Sequence, residues 1–122
     1  MTKRPFPKHV YEAVRERASD YGEPSCEVMI APGCTGWGTD WHHRQMKSQG
    51  GQDTIPNGLF CCRHCHLVGI HKDPKRAYEN GWLVHGWDNP DQQPVLRRGR
   101  WVLLDEIGGF TAYNKENYDN EN

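Results

Sequence analysis

Five of the seven histidines and three of the five cysteines of this 122-residue chain fall between His42 and His71. That concentration constrains the fold more than any hydrophobic pattern in the sequence. Cys62-x-x-Cys65 is one half of a tetrahedral thiolate site, because two intervening residues let two sulfurs grip one ion at a turn. Cys26 and Cys34, with a Pro32-Gly33 turn between them, offer a second pair. Their gap is longer than the common two to four residues, and a small loop between them accounts for it. A structural Zn²⁺ on Cys26, Cys34, Cys62 and Cys65 would tie an N-terminal loop to the start of a later helix. Cys61 is left over. In a strand Cys61 and Cys62 point to opposite faces. Cys62 has the two-residue spacing, so Cys61 is assigned to apolar packing. The alternative is that all five are buried free thiols.

Composition favours the clamp. The chain is 35% apolar, below the usual ~45–50%, so its hydrophobic core is expected to be thin. Thirteen glycines and eight prolines imply many turns and few long elements. A domain this small and polar often adds a metal to its core. The cysteine count is odd, and Met1-Thr2-Lys3-Arg4-Pro5-Phe6 lacks the apolar stretch of a secretion signal. The expectation is therefore reduced thiolates in a cytoplasm. No apolar run approaches the ~18 residues of a membrane span. Net charge is −1, but residues 105–122 hold five acids and one lysine. The remaining body is mildly basic, which permits phosphate binding without demanding it.

Pro7 can open a helix, and Val10, Ala13, Val14 and Ala18 recur at helical steps through about Ser19. An irregular loop should fill 25–40, a strand 39–44, a polar Gly-rich loop 45–57 and a second strand 59–61. A helix is expected from Cys62 or Arg63 to about Lys72. Asp73-Pro74 starts another as N-cap and first residue, and Gly81 stops it. Further strands are expected over 82–85, 95–96 and 101–104. Residues 1–7 read as a loose basic arm and 111–122 as a polar, disordered tail.

His42 and His43 are adjacent, so in a strand they point opposite ways and do not both bind one ion. A division of labour follows: one coordinates a metal and the other approaches a phosphate from the side of an attacking water. Read alone, the pair is equally a pair of surface histidines. Asn57, His66 and the thiolate clamp argue against that.

In order, the chain carries Cys34-Thr35-Gly36, His42-His43-Arg44, Ser48-Gln49-Gly50-Gly51, Asn57-Gly58-Leu59 and Cys62-Arg63-His64-Cys65-His66. This series resembles the HNH endonucleases of the ββα-metal, or His-Me finger, superfamily, in the style of small bacteriophage and actinobacterial members. The resemblance covers about Cys26 to His71, and five ordered elements are more specific than one motif. It implies an α+β, zinc-stabilised ββα-metal domain over 1–110 (core about 26–72), with an N-terminal helix and a C-terminal strand extension. It also implies His43 as general base and Asn57 as the residue that holds the loop and orients it. His42, in place of the more common aspartate, and His66 become ligands of a catalytic divalent metal. The family expectation for that ion is Mn²⁺ or Mg²⁺, whereas histidine donors suit Mn²⁺, Ni²⁺, Co²⁺ or Zn²⁺ better than Mg²⁺. The implied partner is DNA. Phage packaging proteins in a bacterial host cytoplasm are a further implied association, and no membrane is involved.

One spacing departs from the pattern. The family often places a histidine four residues after the Cys-His histidine, but here His71 comes five after His66. On an ideal helix the two would diverge by roughly 140°. Either His71 is an ordinary last-turn histidine, or the helix absorbs one residue near Gly69 as a π-bulge and His71 joins the metal. Arg44, Lys47, Arg63 and Lys72 flank the site as candidate DNA contacts, or as solvated surface charges. The competing function is a zinc-stabilised DNA- or protein-binding module without catalysis, which would have no need of the His43–Asn57 pair.

Overall fold

The computed structural model describes residues 6–20, 22–30 and 32–114. The expectations for residues 1–5 of the basic arm and for the tail beyond Asn114 lie outside the described residues, whereas Phe6, expected in that loose arm, is buried in the cluster under α1. The chain is a small mixed α/β domain with two small antiparallel sheets. The elements are α1 (Lys8–Ala18), β1 (Asp40–His43), β2 (Gly58–Cys61), a π-helix (Cys65–His71), α2 (Pro74–Glu79), β3 (Val95–Arg97), β4 (Arg100–Leu104) and β5 (Phe110–Ala112).

β1 and β2 pair antiparallel, with His42 opposite Leu59 and His43 opposite Gly58. All four residues of β2 are buried, because the strand separates two hydrophobic clusters. Its side chains alternate between faces. Phe60 joins Phe6, Val10, Val14 and Ala18 under α1. Leu59 and Cys61 join the larger cluster with Ile70, Trp82, Val95, Val102 and Leu104. Val10, Val14 and Ala18 recur every fourth residue, which explains why α1 presents one apolar stripe to β2.

Polar groups hold the rest of the frame. Glu27 is fully buried. It accepts hydrogen bonds from Arg17 of α1 and Arg97 of β3, each at 2.8 Å, and from the Phe60 N–H of β2 at 3.0 Å. β3 and β4 are joined by Arg98-Gly99, both at positive φ (52° and 81°), the twist a two-residue hairpin turn requires. The unusual φ of Arg98 is supported by its side chain, which reaches the carbonyls of Ala18, Ser25 and Cys26 and pairs with Asp20.

Two expectations are corrected. Trp82–His85 is not a strand: the Trp82 and Leu83 N–H groups close α2 on the Ala77 carbonyl, and Val84 N–H donates to the Arg44 carbonyl. No ladder is left for them to join. The tail begins later than residue 111, because Phe110–Ala112 pairs with β4. α2 matches its signals, with Asp73 accepting the Arg76 N–H and Pro74 at the first position. Among the described residues no helix is long and apolar enough to cross a membrane.

Candidate metal centres

Cys26, Cys34, Cys62 and Cys65 each offer one sulfur, and all four sulfurs lie within 4.8 Å of one another. None is in a disulfide. The Cys34–Cys62 separation of 3.9 Å matches the ~3.8 Å edge of a tetrahedron with ~2.3 Å metal–sulfur bonds. Every sulfur also accepts one backbone N–H: Met29 to Cys26, Gly36 to Cys34, Cys65 to Cys62 and Ile30 to Cys65, at 3.3–3.4 Å. Such donors stabilise negative sulfur and fix its direction. The contact between the Cys26 and Cys65 side chains lowers the pKa of Cys26 against the effect of burial and raises that of Cys65. The cluster is thus arranged around negative charge that a cation would share among all four sulfurs. Cys61 stands outside it, buried in the larger core with its pKa raised by burial.

The second centre is built from three histidines, His42, His66 and His71, each with one ring nitrogen inside the same 4.8 Å limit. Strand alternation puts Asp40 and His42 on the face of β1 that meets the π-helix, and Trp41 and His43 on the face that meets α1. The opposed directions expected of the His42–His43 pair are therefore present. His42 is 4% exposed, and its Nε2 lies 2.6 Å from the Trp82 carbonyl. That nitrogen bears the proton, leaving the Nδ1 lone pair to face the cluster. Burial holds His42 down at about 3, so it stays neutral. His66 uses the other tautomer: its Nδ1 meets Asp40 Oδ2 at 2.9 Å, leaving Nε2 inward. Burial opposes the charge of Asp40, but hydrogen bonds from His66, Thr39 and Arg63 outweigh it and keep the carboxylate below its usual range.

His71 reaches the cluster because the helix is not regular. Cys65–His71 is π-helical, and Lys72 N–H donates five residues back to the Leu67 carbonyl at 3.1 Å. Bonds of that span bring residues five apart onto one face. His71 Nε2 consequently lies 3.0 Å from His66 Nε2. Gly69 lets Ile30 pack closely on this helix, since a Cβ there would come 2.2 Å from Ile30 Cδ1. Burial, and then the neighbouring His66, lower the pKa of His71. The centre grades from buried His42 to exposed His71, so it opens to solvent on one side.

His43 is held differently. Its Nε2 meets Asp53 Oδ1 at 2.8 Å, and the Phe6 ring stacks on it at 4.1 Å between centroids. The hydrogen bond from His43, helped by Lys47, keeps Asp53 below its usual range despite some burial. Asn57 acts one step away. Its side-chain oxygen accepts the Gln45 N–H at 2.6 Å, and its amide donates to the carbonyls of Gln45 and Gln52. Asn57 therefore pins both ends of the 45–52 loop, and the group touching His43 is Asp53.

Of the four candidate phosphate contacts, Arg44 is corrected. It is fully buried and donates to the carbonyls of Gly81, Pro56, Pro90 and Gln93 at 2.8–2.9 Å. A cation buried under the surface, with four of its five N–H donors committed to carbonyls, is not placed to meet a phosphate. Lys47 is exposed beside Asp53, Arg63 is exposed and paired with Asp40, and Lys72 is exposed after the π-helix. Asp40 and Asp53 are the residues that sequence reading missed. Asp40 had a signal, since two positions before His42 is the same face of a strand. Asp53 had none beyond its place in the Gly-rich loop. No protein-family model, curated protein or solved structure matches this chain.

Proposed function

We propose that this protein is a metal-dependent HNH endonuclease that hydrolyses DNA phosphodiester bonds, with a ββα-metal core formed by β1, β2 and the π-helix and braced by a structural zinc on the four cysteines. The observation that carries this reading is the convergence of one ring nitrogen from each of His42, His66 and His71 within 4.8 Å, with two of the rings oriented by Trp82 and Asp40, beside a separately oriented His43.

Asp53 accepts the Nε2–H of His43 and so leaves Nδ1 as the base. Neutral His43 takes a proton from water at that nitrogen, and Asp53 stabilises the imidazolium that forms. The hydroxide attacks phosphorus in line, and the bond to the 3′ oxygen breaks, giving 5′-phosphate and 3′-hydroxyl ends. His42, His66 and His71 would hold a divalent cation, which would supply positive charge against the charge developing on phosphate and leaving oxygen. Imidazole donors favour Mn²⁺, Co²⁺, Ni²⁺ or Zn²⁺ over Mg²⁺. Flanking phosphates would be met by Arg63, Lys72 and Lys47, which are exposed.

The second reading is a zinc-stabilised DNA- or protein-binding module. The near-neutral net charge and the internal commitment of Arg44 favour its protein-binding form. A supercoiled-plasmid nicking assay across Mg²⁺, Mn²⁺, Co²⁺, Ni²⁺ and Zn²⁺ separates the two. Cleavage lost in His43→Ala with DNA binding retained supports the nuclease. Absence of cleavage with every metal leaves the binding module.

A further inference from the structure

Outside the metal centres, Tyr78, His85 and Trp87 form a continuous stack of three rings. The Tyr78 and His85 centroids are 3.9 Å apart with planes 4° from parallel, and those of His85 and Trp87 are 4.4 Å apart at 6°. Trp87 ends the stack and is 81% exposed. One indole face is covered by His85 and the other is open to water. A flat ring held parallel to two others presents its open face in a fixed direction.

The stack is attached to the loop that serves His43. Tyr78 Oη accepts from Gln49 Nε2 at 3.3 Å. Gln45 Nε2 donates to the carbonyls of His85 and Asp88, both at 2.8 Å, bracketing Trp87. Gly86 packs so closely on this loop that a Cβ would come 3.0 Å from the Gln49 carbonyl oxygen. Gln45 is in turn fixed by Asn57, and the same loop leads to Asp53 against His43. Platform and base therefore share one scaffold.

We propose that the open face of Trp87 is a stacking site for an unpaired nucleobase, so that the DNA taken by this protein carries a single-stranded end or junction. The inference rests on the nuclease reading. A base inside a duplex has both faces covered by its neighbours, whereas an unpaired base has a face to offer. Aromatic side chains hold such bases without sequence preference. Asp88 and Asp91 follow Trp87 in the chain, so the platform itself offers no contact to a phosphate. The contribution of the platform is accordingly insensitive to salt, because no counterion is released by stacking.

The test uses the full chain in a cleavage-dead His43→Ala background. Fluorescence anisotropy compares a blunt duplex with the same duplex carrying a single-stranded overhang, over a salt series. Trp87→Ala is expected to weaken binding of the overhang DNA about tenfold while leaving blunt-duplex affinity and the salt slope unchanged. Trp87→Phe should recover most of the loss. A 2-aminopurine in the overhang should be quenched by the protein with Trp87 and not by Trp87→Ala. Equal affinity of all variants for the overhang DNA overturns the proposal and leaves the nuclease reading standing. A loss shared by both DNAs, or a changed salt slope, overturns it in the same way. If the protein with Trp87 intact binds neither DNA, the nuclease reading fails and the platform falls with it.

Discussion

The Asp40 carboxylate and His66 Nδ1 are 2.9 Å apart, and this contact decides which nitrogen of His66 faces the three-histidine centre. Asp40 acts through His66, so its removal should be felt first as a change in metal affinity. Asp40→Asn is expected to weaken Mn²⁺ or Co²⁺ binding at the histidines by ~10–100-fold, with the cysteine site still loaded. Isothermal titration with zinc content measured in parallel checks this. Unchanged affinity would remove Asp40 from the site.

His43→Ala should lower cleavage by ~10²–10⁴-fold while DNA binding and both metals are retained. Asp53→Ala should produce a smaller loss in turnover with metal affinity intact, because His43 keeps its place against Phe6 but loses its fixed tautomer. His42→Ala and His66→Ala should lose metal and activity together. Single-turnover rates and metal titrations on the same preparations distinguish these patterns, and an active His43→Ala protein would falsify the general-base role.

Purified protein should contain tightly bound zinc by elemental analysis. Cys34→Ser should release it and unfold the domain, because metal binding at such a site is folding free energy. Cys61→Ala should keep the metal and lose only packing. Circular dichroism with and without a strong chelator reads both outcomes. A fully folded, zinc-free Cys34→Ser protein would contradict the assignment.

Arg44→Ala is expected to destabilise the fold by on the order of 3–5 kcal/mol, because it removes a buried cation and strands its carbonyl partners. Arg63→Ala should instead leave stability nearly unchanged and weaken DNA binding, with a shallower salt dependence. Denaturant unfolding beside anisotropy assigns each arginine. A stable Arg44→Ala protein with impaired DNA binding would reverse the assignment made from burial.

Acid sensitivity should trace to Glu27. Burial opposes its charge, but Arg17 and Arg97 prevail and hold its pKa below the usual value. A depressed carboxylate contributes stability that is fully present above the unfolded pKa and lost as pH falls through the folded one. Stability should therefore be level near neutrality and decline on acidification below about pH 4. Glu27→Gln should cost about 3–5 kcal/mol at neutral pH and flatten the acid decline. Unfolding midpoints across a pH series, with zinc occupancy followed by an indicator dye, test the sign.

The parts legible in the sequence were those set by short spacing. Cys62-x-x-Cys65 marks a turn that brings two sulfurs together. The adjacency of His42 and His43 fixes opposite directions on any strand. The five-residue step from His66 to His71 left an ordinary last-turn histidine or a π-bulge, and Cys65–His71 is π-helical. What escaped was set by contacts distant in sequence. Arg44 reads as a surface cation beside a histidine pair, and only the arrival of Gly81, Pro90 and Gln93 around it makes it internal. Trp82–His85 has strand-like residues, yet its N–H groups are taken by Ala77 and Arg44. Phe110–Ala112 is too short to be marked by composition and is defined by its pairing with β4.

β2 has no face of its own to give to solvent. Phe60 belongs to the cluster under α1, Leu59 and Cys61 to the cluster beside the cysteines. Neither cluster can open without exposing the strand that completes the other. The amide protons of β2 should therefore exchange only through global opening. Loss of zinc beyond the Cys61 end of β2 should then be registered at its Gly58 end, where Phe6 rests on His43, in a single cooperative event.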